Sequence, residues 1–259
     1  MYINLFEKFL MKFKAIIIYI VFIFILFSSC SQSRLVVSNN DKNYILDKKV
    51  DSILKLMTLE EKIGQLNQYN GFWDATGPTP KEGQAALKYD HLKKGMVGSM
   101  LNVKGVKEVR AVQKIAVEQT RLGIPLLFGF DVIHGYKTIS PIPLAEAASW
   151  DLEAIKKSAA IAAEEAASVG LNWTFAPMVD ISRDARWGRV MEGAGEDTYL
   201  GSKIAEARVK GFQGSDFTSG KTIMACAKHF AGYAFAEAGR DYNSVDVSEA
   251  TLQNTITTF

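Results

Sequence analysis

The stretch NWTFAPMVDISRDARWGRVMEGAGED, residues 172–197, joins an apolar run to a dense group of charges. Its first part, Trp173–Val179, has the length and apolar character of a buried strand. Eight charged residues follow in one short loop: Asp180, Arg183, Asp184, Arg186, Arg189, Glu192, Glu196 and Asp197. Because ligands of α/β proteins bind at the carboxyl ends of strands, this loop indicates a functional site. The alternative is a salt-bridged surface loop, which leaves unexplained both Trp187 and the glycines at 188, 193 and 195.

The elements around this stretch alternate regularly. We predict strands over residues 97–101, 126–132, 173–179 and 223–227, and helices over 106–121, 152–169 and 199–212. Strands separated by helices of this length pair in parallel, in a (β/α) barrel or a doubly wound sheet. Polar residues follow three of the strands: Asp131 with His134, then Asp180 with the charged loop, then Lys228 with His229. All strands of a barrel point to one mouth, so this repetition favours a TIM-like barrel.

The segment before the first predicted strand contains two further helix signals. Residues from Asp47 carry apolar side chains at helical spacing as far as Met57. Thr58–Glu61 has the form of a capping box that opens a second helix, with Ile63 and Leu66 on its inner side. Residues 70–83 contain glycine and proline and are predicted to form a loop, and a last helix is predicted to open near Ser248.

Composition is that of a globular protein with one large core. The chain has 259 residues, of which 48% are hydrophobic and 22% charged. The first 30 residues hold three lysines and one glutamate, which leaves 27 basic and 27 acidic residues in the remainder. This balance gives no electrostatic reason to expect nucleic acid or an anionic membrane surface as a partner.

Residues 1–30 are predicted to be an export signal. Lys12 and Lys14 precede an apolar run, residues 15–27, of the length of a signal-peptide core. The run closes on Phe-Ser-Ser-Cys, which resembles a bacterial lipobox in which Cys30 would be lipidated, although Phe27 stands where leucine is usual. A plain signal peptide and an uncleaved anchor are the alternatives. Residues 31–46 are predicted to be a tether, and Cys226 would remain as a single thiol that rules out an internal disulfide.

Two further polar groups follow strands. Asp131 ends the run FGFD, where a carboxylate could accept hydrogen bonds from two sugar hydroxyls or cap the next turn. Lys228 and His229 could donate to ligand hydroxyls or form a buried pair with a carboxylate. The three histidines at 91, 134 and 229 lack the spacing of a zinc site, and Ser219–Thr222 lacks the glycine of a phosphate loop. We therefore expect no metal and no cofactor.

Several motifs together resemble the N-terminal domain of bacterial β-glucosidases of glycoside hydrolase family 3. They are MTLEEKIGQL, GFDVIHGYKT with PIPLAEAASWD, FAPMVDISRDARWGR with EGAGED, and ACAKHFAGY with GRDYN, spread over residues 47–259. The resemblance implies a TIM-like barrel, incomplete here, and retaining hydrolysis of β-linked glucosides or oligosaccharides. It also implies that Asp131, Arg189, Lys228 and His229 bind the non-reducing glucose, while Arg183 and Arg186 are expected to support the loop.

The catalytic residues implied by the resemblance have no match in this chain. A retaining glycosidase needs a nucleophile and an acid/base about 5–5.5 Å apart. The family's nucleophile lies in a Ser-Asp-Trp motif and its acid/base glutamate in a second domain, so both are expected beyond residue 259. Asp216, in Ser-Asp-Phe, resembles the nucleophile motif but precedes a strand, on the side away from the site.

The resemblance also distinguishes between branches of the family. Relatives that cleave N-acetylglucosamine use a second histidine in the Lys-His loop, and this chain has Tyr233 at that position. The leading hypothesis is therefore an exported β-glucosidase, periplasmic or anchored to the outer membrane by lipid, of which this chain is the sugar-binding part. The alternatives are a non-catalytic carbohydrate-binding lipoprotein and an inactive gene fragment.

A first prediction concerns hydrolysis by the 259-residue chain. Binding groups alone do not supply a covalent route, so we expect no cleavage of an aryl β-glucoside above background. The measurement is release of the chromophore by the purified chain, compared with its Asp216→Ala variant. Turnover that Asp216→Ala abolishes would show that Asp216 is the nucleophile after all.

Overall fold

The computed structural model describes residues 39–71 and 82–256. The predicted signal segment with Cys30, residues 31–38 of the predicted tether and most of the predicted loop 70–83 lie outside the described residues. The helices are α1 Asn39–Leu56, α2 Leu59–Gly64, α3 Gly83–Lys93, α4 Val106–Gln119, α5 Pro143–Ser149, α6 Leu152–Ser168, α7 Thr198–Gln213 and α8 Glu249–Thr251, which continues as a π-helix over Leu252–Ile256. The strands are β1 Gln68–Asn70, β2 Ser99–Leu101, β3 Leu127–Phe130 and β4 Trp173–Thr174.

The four strands form one parallel sheet in the order β1-β2-β3-β4. Tyr69 lies beside Met100, Met100 beside Phe128, and Phe130 beside Thr174. Each strand therefore pairs with the next one in the chain, as in a barrel, whereas a doubly wound sheet reverses its order at a switch point. Among the described residues the sheet is open, which agrees with the predicted α/β class and an incomplete barrel.

Side chains extend the sheet beyond its short strands. The Asn172 Oδ1 atom accepts a hydrogen bond of 2.8 Å from the Phe128 amide. The Thr174 hydroxyl, which is fully buried, accepts one of 3.1 Å from the Val132 amide. Buried amides need partners, so these two side chains replace backbone bonds that the two-residue strand β4 cannot supply.

The core lies between the sheet and the helices that follow its strands. Met100 and Phe128 from the strands pack in one cluster with Val112 and Ala116 from α4 and with Ala163 from α6. Helix α4 turns Val109, Val112 and Ala116 inward, and all three are buried. Helices α6 and α7 approach each other closely at Gly211, where an added Cβ would lie 2.3 Å from the Lys156 carbonyl oxygen.

The start of the described chain departs from the prediction in two ways. Helix α1 begins at Asn39, so residues 39–46 are helical where a tether was expected. The capping box of Thr58 and Glu61 is present, but Ile63 and Leu66 are exposed and the inner-face prediction is wrong. Helix α2 instead turns Glu61 inward, where its carboxylate bonds the Arg121 guanidinium, while Gly64 lies against Met96.

The strand predictions also need correction. Strand β1 and helices α3 and α5 were not predicted, because QYN is short and polar and α3 buries only Tyr89 and Leu92. The predicted strand over residues 223–227 is wrong, since this segment forms no continuous ladder with its neighbour and has two isolated bridges there, Trp173 with Met224 and Met178 with Lys228. Strand β4 stops after Thr174 and does not reach Val179, and Pro177 has no amide hydrogen with which to continue a ladder.

None of the helices in the described part of the chain is both long enough and apolar enough to cross a lipid bilayer.

One ion pair lies inside this structure. The Arg208 guanidinium of α7 contacts the Glu146 carboxylate of α5 at 2.5 Å, and both side chains are at most 6% exposed. Arg208 also donates to the Ile133 carbonyl oxygen, and the Ser158 hydroxyl donates to Glu146 at 2.7 Å. The pair therefore joins α5, α6, α7 and the loop after β3, and each charge depends on the other for its partner.

The second prediction tests this pair. Arg208→Met leaves the Glu146 carboxylate buried without its cation, so we expect a loss of about 3–5 kcal/mol in the free energy of unfolding, measured by urea denaturation. The double variant Arg208→Met/Glu146→Gln should recover part of that loss. Lys210→Met is the control, because Lys210 pairs with Glu206 on the exposed face of the same helix and should change stability little. An equal, small effect of Arg208→Met and Lys210→Met would contradict the role of the buried pair.

Candidate functional site

Polar residues from two segments distant in sequence meet at the carboxyl edge of the sheet. Asp131 follows β3 directly, and Lys228 follows the bridged segment 223–227. The Lys228 Nζ atom donates to the Asp131 Oδ1 atom at 2.8 Å, across 97 residues of sequence. The Lys228 side chain is 13% exposed and that of Asp131 47%, so the pair has one protected end and one open to solvent.

Backbone hydrogen bonds fix the position of Lys228. The Cys226 amide donates to the Ala176 carbonyl oxygen at 2.9 Å, and the Lys228 amide donates to the Pro177 carbonyl oxygen at 3.0 Å. The Val179 amide in turn donates a hydrogen bond to the Lys228 carbonyl oxygen. Although these bonds form no regular strand, they hold the two segments side by side and bring Lys228 level with the start of the charged loop.

The charged loop contributes Arg189 and Glu192. Arg189 donates to both carboxylate oxygens of Glu192, from Nε at 2.7 Å and from Nη2 at 2.8 Å. The second oxygen of Glu192 also lies 3.9 Å from the Lys228 Nζ atom. Glu192 therefore connects the two cations, and its two-point bond holds the guanidinium plane in one orientation.

The electrostatics of this group keep Glu192 ionised. Burial alone would raise the pKa of the Glu192 carboxyl, but hydrogen bonds from Arg189 and the nearby charges of Arg189, Lys228 and His229 outweigh burial and lower the pKa. The same bonds with Glu192 raise the pKa of Arg189. Each member of the pair thus stabilises the charged form of the other.

His229 is held by Asp180, the first residue after the apolar run. The His229 Nδ1 atom lies 2.8 Å from the Asp180 Oδ2 atom, and the His229 backbone amide donates to the same oxygen at 3.1 Å. The Asp180 side chain is 1% exposed and that of His229 32%. The imidazole ring and the Tyr233 ring pack in a T-shaped arrangement, with 4.6 Å between ring centroids.

A second group lies next to His229 and Arg189 and consists of Tyr233, Trp187 and Asp241. Both the Tyr233 hydroxyl and the Trp187 indole nitrogen bond Asp241, the latter at 2.9 Å. Burial and the bond to Asp241 raise the pKa of Tyr233 to about 12, while hydrogen bonds from Tyr233 and Trp187 lower the pKa of Asp241. Gly239 lets the chain pass close by, since it has φ of +67° and an added Cβ would lie 3.0 Å from the Trp187 amide nitrogen.

The structure brings together all four residues named from the resemblance, Asp131, Arg189, Lys228 and His229. The sequence analysis assigned no site role to Glu192, Tyr233 or Asp241. Glu192 follows Arg189 by three residues, the spacing of a helical ion pair, and this signal could have identified it. The contacts of Asp241 with Trp187 and of Tyr233 with Arg189 gave no such signal, because they join residues that are 54 and 44 positions apart.

Other candidate residues lie apart from this group. Arg186 is 71% exposed and pairs with Asp184, two residues before it in the loop. The His134 ring bonds the Ser140 carbonyl oxygen within its own loop. Asp216 bonds the amide and hydroxyl of Thr218 at the start of a short 3₁₀ helix, before the amino end of the bridged segment.

The central charges suit a neutral ligand with many hydroxyl groups. Two cations, Arg189 and Lys228, are matched by two carboxylates, Asp131 and Glu192, so these four side chains give no net charge with which to attract an anion such as phosphate. A sugar hydroxyl both donates and accepts, and it finds fixed donors and acceptors here. The described residues contain no group of three or more His, Cys, Asp or Glu side chains arranged to hold a metal ion.

Comparison with known families and proteins agrees with this arrangement. Residues 58–258 match the glycosyl hydrolase family 3 N-terminal domain. The periplasmic β-glucosidase of Salmonella typhimurium is 44% identical over 209 residues, a match that covers 80% of this chain and 26% of that protein. The lysosomal β-glucosidase of Dictyostelium discoideum is 28% identical, over 80% of this chain and 28% of that protein.

Solved structures give the same result for the fold. The β-glucosidase of Listeria innocua in complex with glucose aligns with a TM-score of 0.73 at 39% identity, covering 81% of this chain and 30% of that one. Its D270A mutant in complex with laminaribiose aligns with a TM-score of 0.75 at 39% identity, with the same coverage. These alignments confirm the predicted TIM-like α/β fold. The chain spans about a quarter to a third of the length of these relatives.

The third prediction uses the lowered pKa of Glu192. A carboxylate with a lowered pKa in the folded state stabilises the protein fully above its unfolded pKa, near 4.5, and this contribution is lost as pH falls through the folded value. Glu192→Gln should therefore lower the free energy of unfolding by about 1–3 kcal/mol at pH 7, and the difference from wild type should shrink below about pH 4.5.

The measurement is urea denaturation of both proteins between pH 7 and pH 3. Glu60→Gln, at an exposed position of α2, is the control and should show no such pH-dependent difference. A wild-type advantage over Glu192→Gln that persists unchanged at pH 3 would mean that the ionised carboxylate is not its source.

Proposed function

Because the chain belongs to glycosyl hydrolase family 3, we propose that it forms the glucose-binding part of an exported, retaining β-glucosidase. The observation that carries the proposal is the convergence of four residues, named from sequence motifs, at one edge of the sheet, where each is held by a hydrogen-bonded ion pair and the pairs adjoin through Glu192 and Tyr233. In this proposal the full-length enzyme removes the terminal β-D-glucose at the non-reducing end of glucosides or oligosaccharides.

Each member of the group has a distinct part in holding the sugar ring. Asp131 accepts hydrogen bonds from hydroxyls, since its carboxylate is 47% exposed and one oxygen remains beyond the Lys228 bond. Arg189 and Lys228 donate from positions fixed by Glu192 and Asp131. Fixing the ring before reaction converts binding energy into correct orientation of the anomeric carbon.

We assign no residue of this chain as nucleophile or acid/base. Both oxygens of Glu192 are held by Arg189, Asp131 pairs with Lys228, and Asp180 pairs with His229. A retaining mechanism needs one carboxylate that is free to attack the sugar and one carboxyl that can donate a proton. The catalytic pair therefore belongs to other parts of the proposed enzyme, in agreement with the chain's coverage of 26% of the Salmonella relative.

The proposal extends to domain organisation and location. Residues 1–30 would direct export, with Cys30 as the lipidation site, residues 31–46 would follow the anchor, and residues 47–259 would belong to the barrel domain. Export to the periplasm, or to the outer membrane as a lipoprotein, is supported by the apolar segment before Cys30 and by the name of the Salmonella relative. Any contact with the membrane would be through the N-terminal lipid.

The fourth prediction tests the sugar-binding role in the full-length enzyme. Arg189→Ala should lower kcat/KM for an aryl β-glucoside by about a hundredfold or more, because positioning is lost together with hydrogen bonds. Arg189→Lys should recover little, since an ammonium group cannot reproduce the two-point bond with Glu192.

Arg186→Ala is the matched control in the same loop. Arg186 is exposed and pairs only locally with Asp184, so the variant should retain near wild-type kinetics. If Arg186→Ala abolished activity while Arg189→Ala retained it, the assignment of residues along this loop would be wrong. A full-length wild type that binds glucose and releases none from β-glucosides would instead support the non-catalytic alternative.

A further inference from the structure

We propose that Asp180 is a positioning residue that fixes the imidazole ring of His229 for contact with the sugar. The inference rests on the proposed function, because it concerns the same glucose-binding group. It assigns to Asp180 a role that acts through His229 and involves no contact between Asp180 and the sugar.

The hydrogen bonds between Asp180 and His229 are unusual for a carboxylate whose only role is in packing. Both hydrogen bonds that the structure gives Asp180 come from His229, from the Nδ1 atom at 2.8 Å and from the backbone amide at 3.1 Å. Both reach the same oxygen, Oδ2. The side chain is 1% exposed, and the other oxygen, Oδ1, is buried without a hydrogen-bond partner among the described residues.

The energetic cost of this arrangement argues for a functional role. Burying a carboxylate with one unsatisfied oxygen is unfavourable unless it is compensated by a strong interaction elsewhere. An apolar residue in the same place would avoid that cost and could still pack between the apolar run and the charged loop. Only a hydrogen-bond acceptor, however, can control the orientation of a neighbouring imidazole ring.

The consequence for His229 concerns its two ring nitrogens. An ionised carboxylate can only accept hydrogen bonds, so Nδ1 carries a hydrogen directed at Asp180. The second nitrogen, Nε2, is then the one left to meet a ligand, and it has no hydrogen-bond partner within residues 39–71 and 82–256. Tyr233 packs at 73° to the ring plane, with 4.6 Å between the ring centroids, and this contact further restricts rotation of the ring.

The orientation of the His229 ring matters because charged side chains lie near it. Tyr233 contacts both the His229 ring and the Arg189 guanidinium, and Arg189 is paired with Glu192, so the imidazole ring lies near a charged pair. A freely rotating imidazole ring could turn either nitrogen toward these groups and would have to be reoriented each time the sugar binds. Holding Nδ1 at Asp180 removes that choice before binding, which is a gain in preorganisation.

The first arm of the test determines which imidazole nitrogen of His229 carries the hydrogen. Nitrogen-15 NMR of the full chain at pH 8 distinguishes hydrogen-bearing from bare imidazole nitrogens, and the chain has only three histidines. His229→Gln identifies the signal of His229. We expect hydrogen on Nδ1 in the wild type, and in Asp180→Asn a shift of hydrogen to Nε2, because the asparagine amide can donate to Nδ1. Asp184→Asn, which changes a carboxylate in the same loop that pairs with Arg186, is the control and should leave the His229 signals unchanged.

The second arm measures glucose affinity by calorimetry in a double-mutant cycle. Asp180→Asn should weaken glucose binding about tenfold in the wild-type background and less than about twofold in the His229→Gln background. A residue with a merely structural role would weaken binding equally in both backgrounds, and that result would overturn the inference.

A measurement on the wild type alone keeps the test decisive if Asp180→Asn fails to fold. On addition of glucose, the Nε2 signal of His229 should move while Nδ1 keeps its hydrogen. Bare Nδ1 in the wild type, or a glucose response confined to Nδ1, would overturn the inference. Wild type that binds glucose while Asp180→Asn binds it equally well would refute the role of Asp180 alone. Failure of the wild type to bind glucose, together with absence of β-glucosidase activity in the full-length enzyme, would refute the proposed function and this inference with it.

Discussion

The parallel pairing of β3, β4 and the segment that follows Ile223 is the constraint on which the site depends. Parallel strands end at the same edge of a sheet, so the residues that follow them must meet there whatever their separation in sequence. Asp131 and Lys228 are 97 residues apart and form a bond of 2.8 Å for this reason. The hydrogen bonds of Asn172 and Thr174 to β3 and of Cys226 and Lys228 to residues 176–177 set the relative height of the segments.

This constraint imposes an electrostatic problem that the charged loop solves. Bringing Lys228 to an edge where it is only 13% exposed removes part of its hydration, and nearby carboxylates must compensate. Asp131 supplies one and Glu192 the other, while Glu192 in turn holds Arg189. The result is a chain of alternating charges in which each side chain has a defined direction. A site of this kind can present donors and acceptors to a neutral sugar without first reorganising.

The sequence predicted the parts of this structure that follow from local periodicity. Helices α4, α6 and α7 were predicted within about two residues, because each buries one apolar face of regular spacing. The family motifs named Asp131, Arg189, Lys228 and His229, and the structure brings these four residues to one edge of the sheet, while their role in binding a sugar stays a prediction. Strand β1 and helix α3 were missed, since neither has a strong apolar pattern, and α2 turned the opposite face inward because Glu61 has a specific partner in Arg121. Glu61 and Arg121 are 60 residues apart, so a pattern read over a short stretch of sequence cannot reveal their contact.

The same distinction separates the residues proposed to bind the sugar from those that support them. Asp131, Arg189, Lys228 and His229 have exposed or partly exposed side chains with chemistry that a motif can display. Asp180, Glu192 and Asp241 act through another side chain, so their importance depends on a distance that only the fold defines: 2.8 Å to His229, 2.7 Å to Arg189 and 2.9 Å to Trp187. The hydrogen bond to each of these three carboxylates restricts the rotation of the partner side chain. The carboxylates in the loop after β4 and in the segment around Asp241 are therefore bonded to other side chains of this region, which accounts for their number.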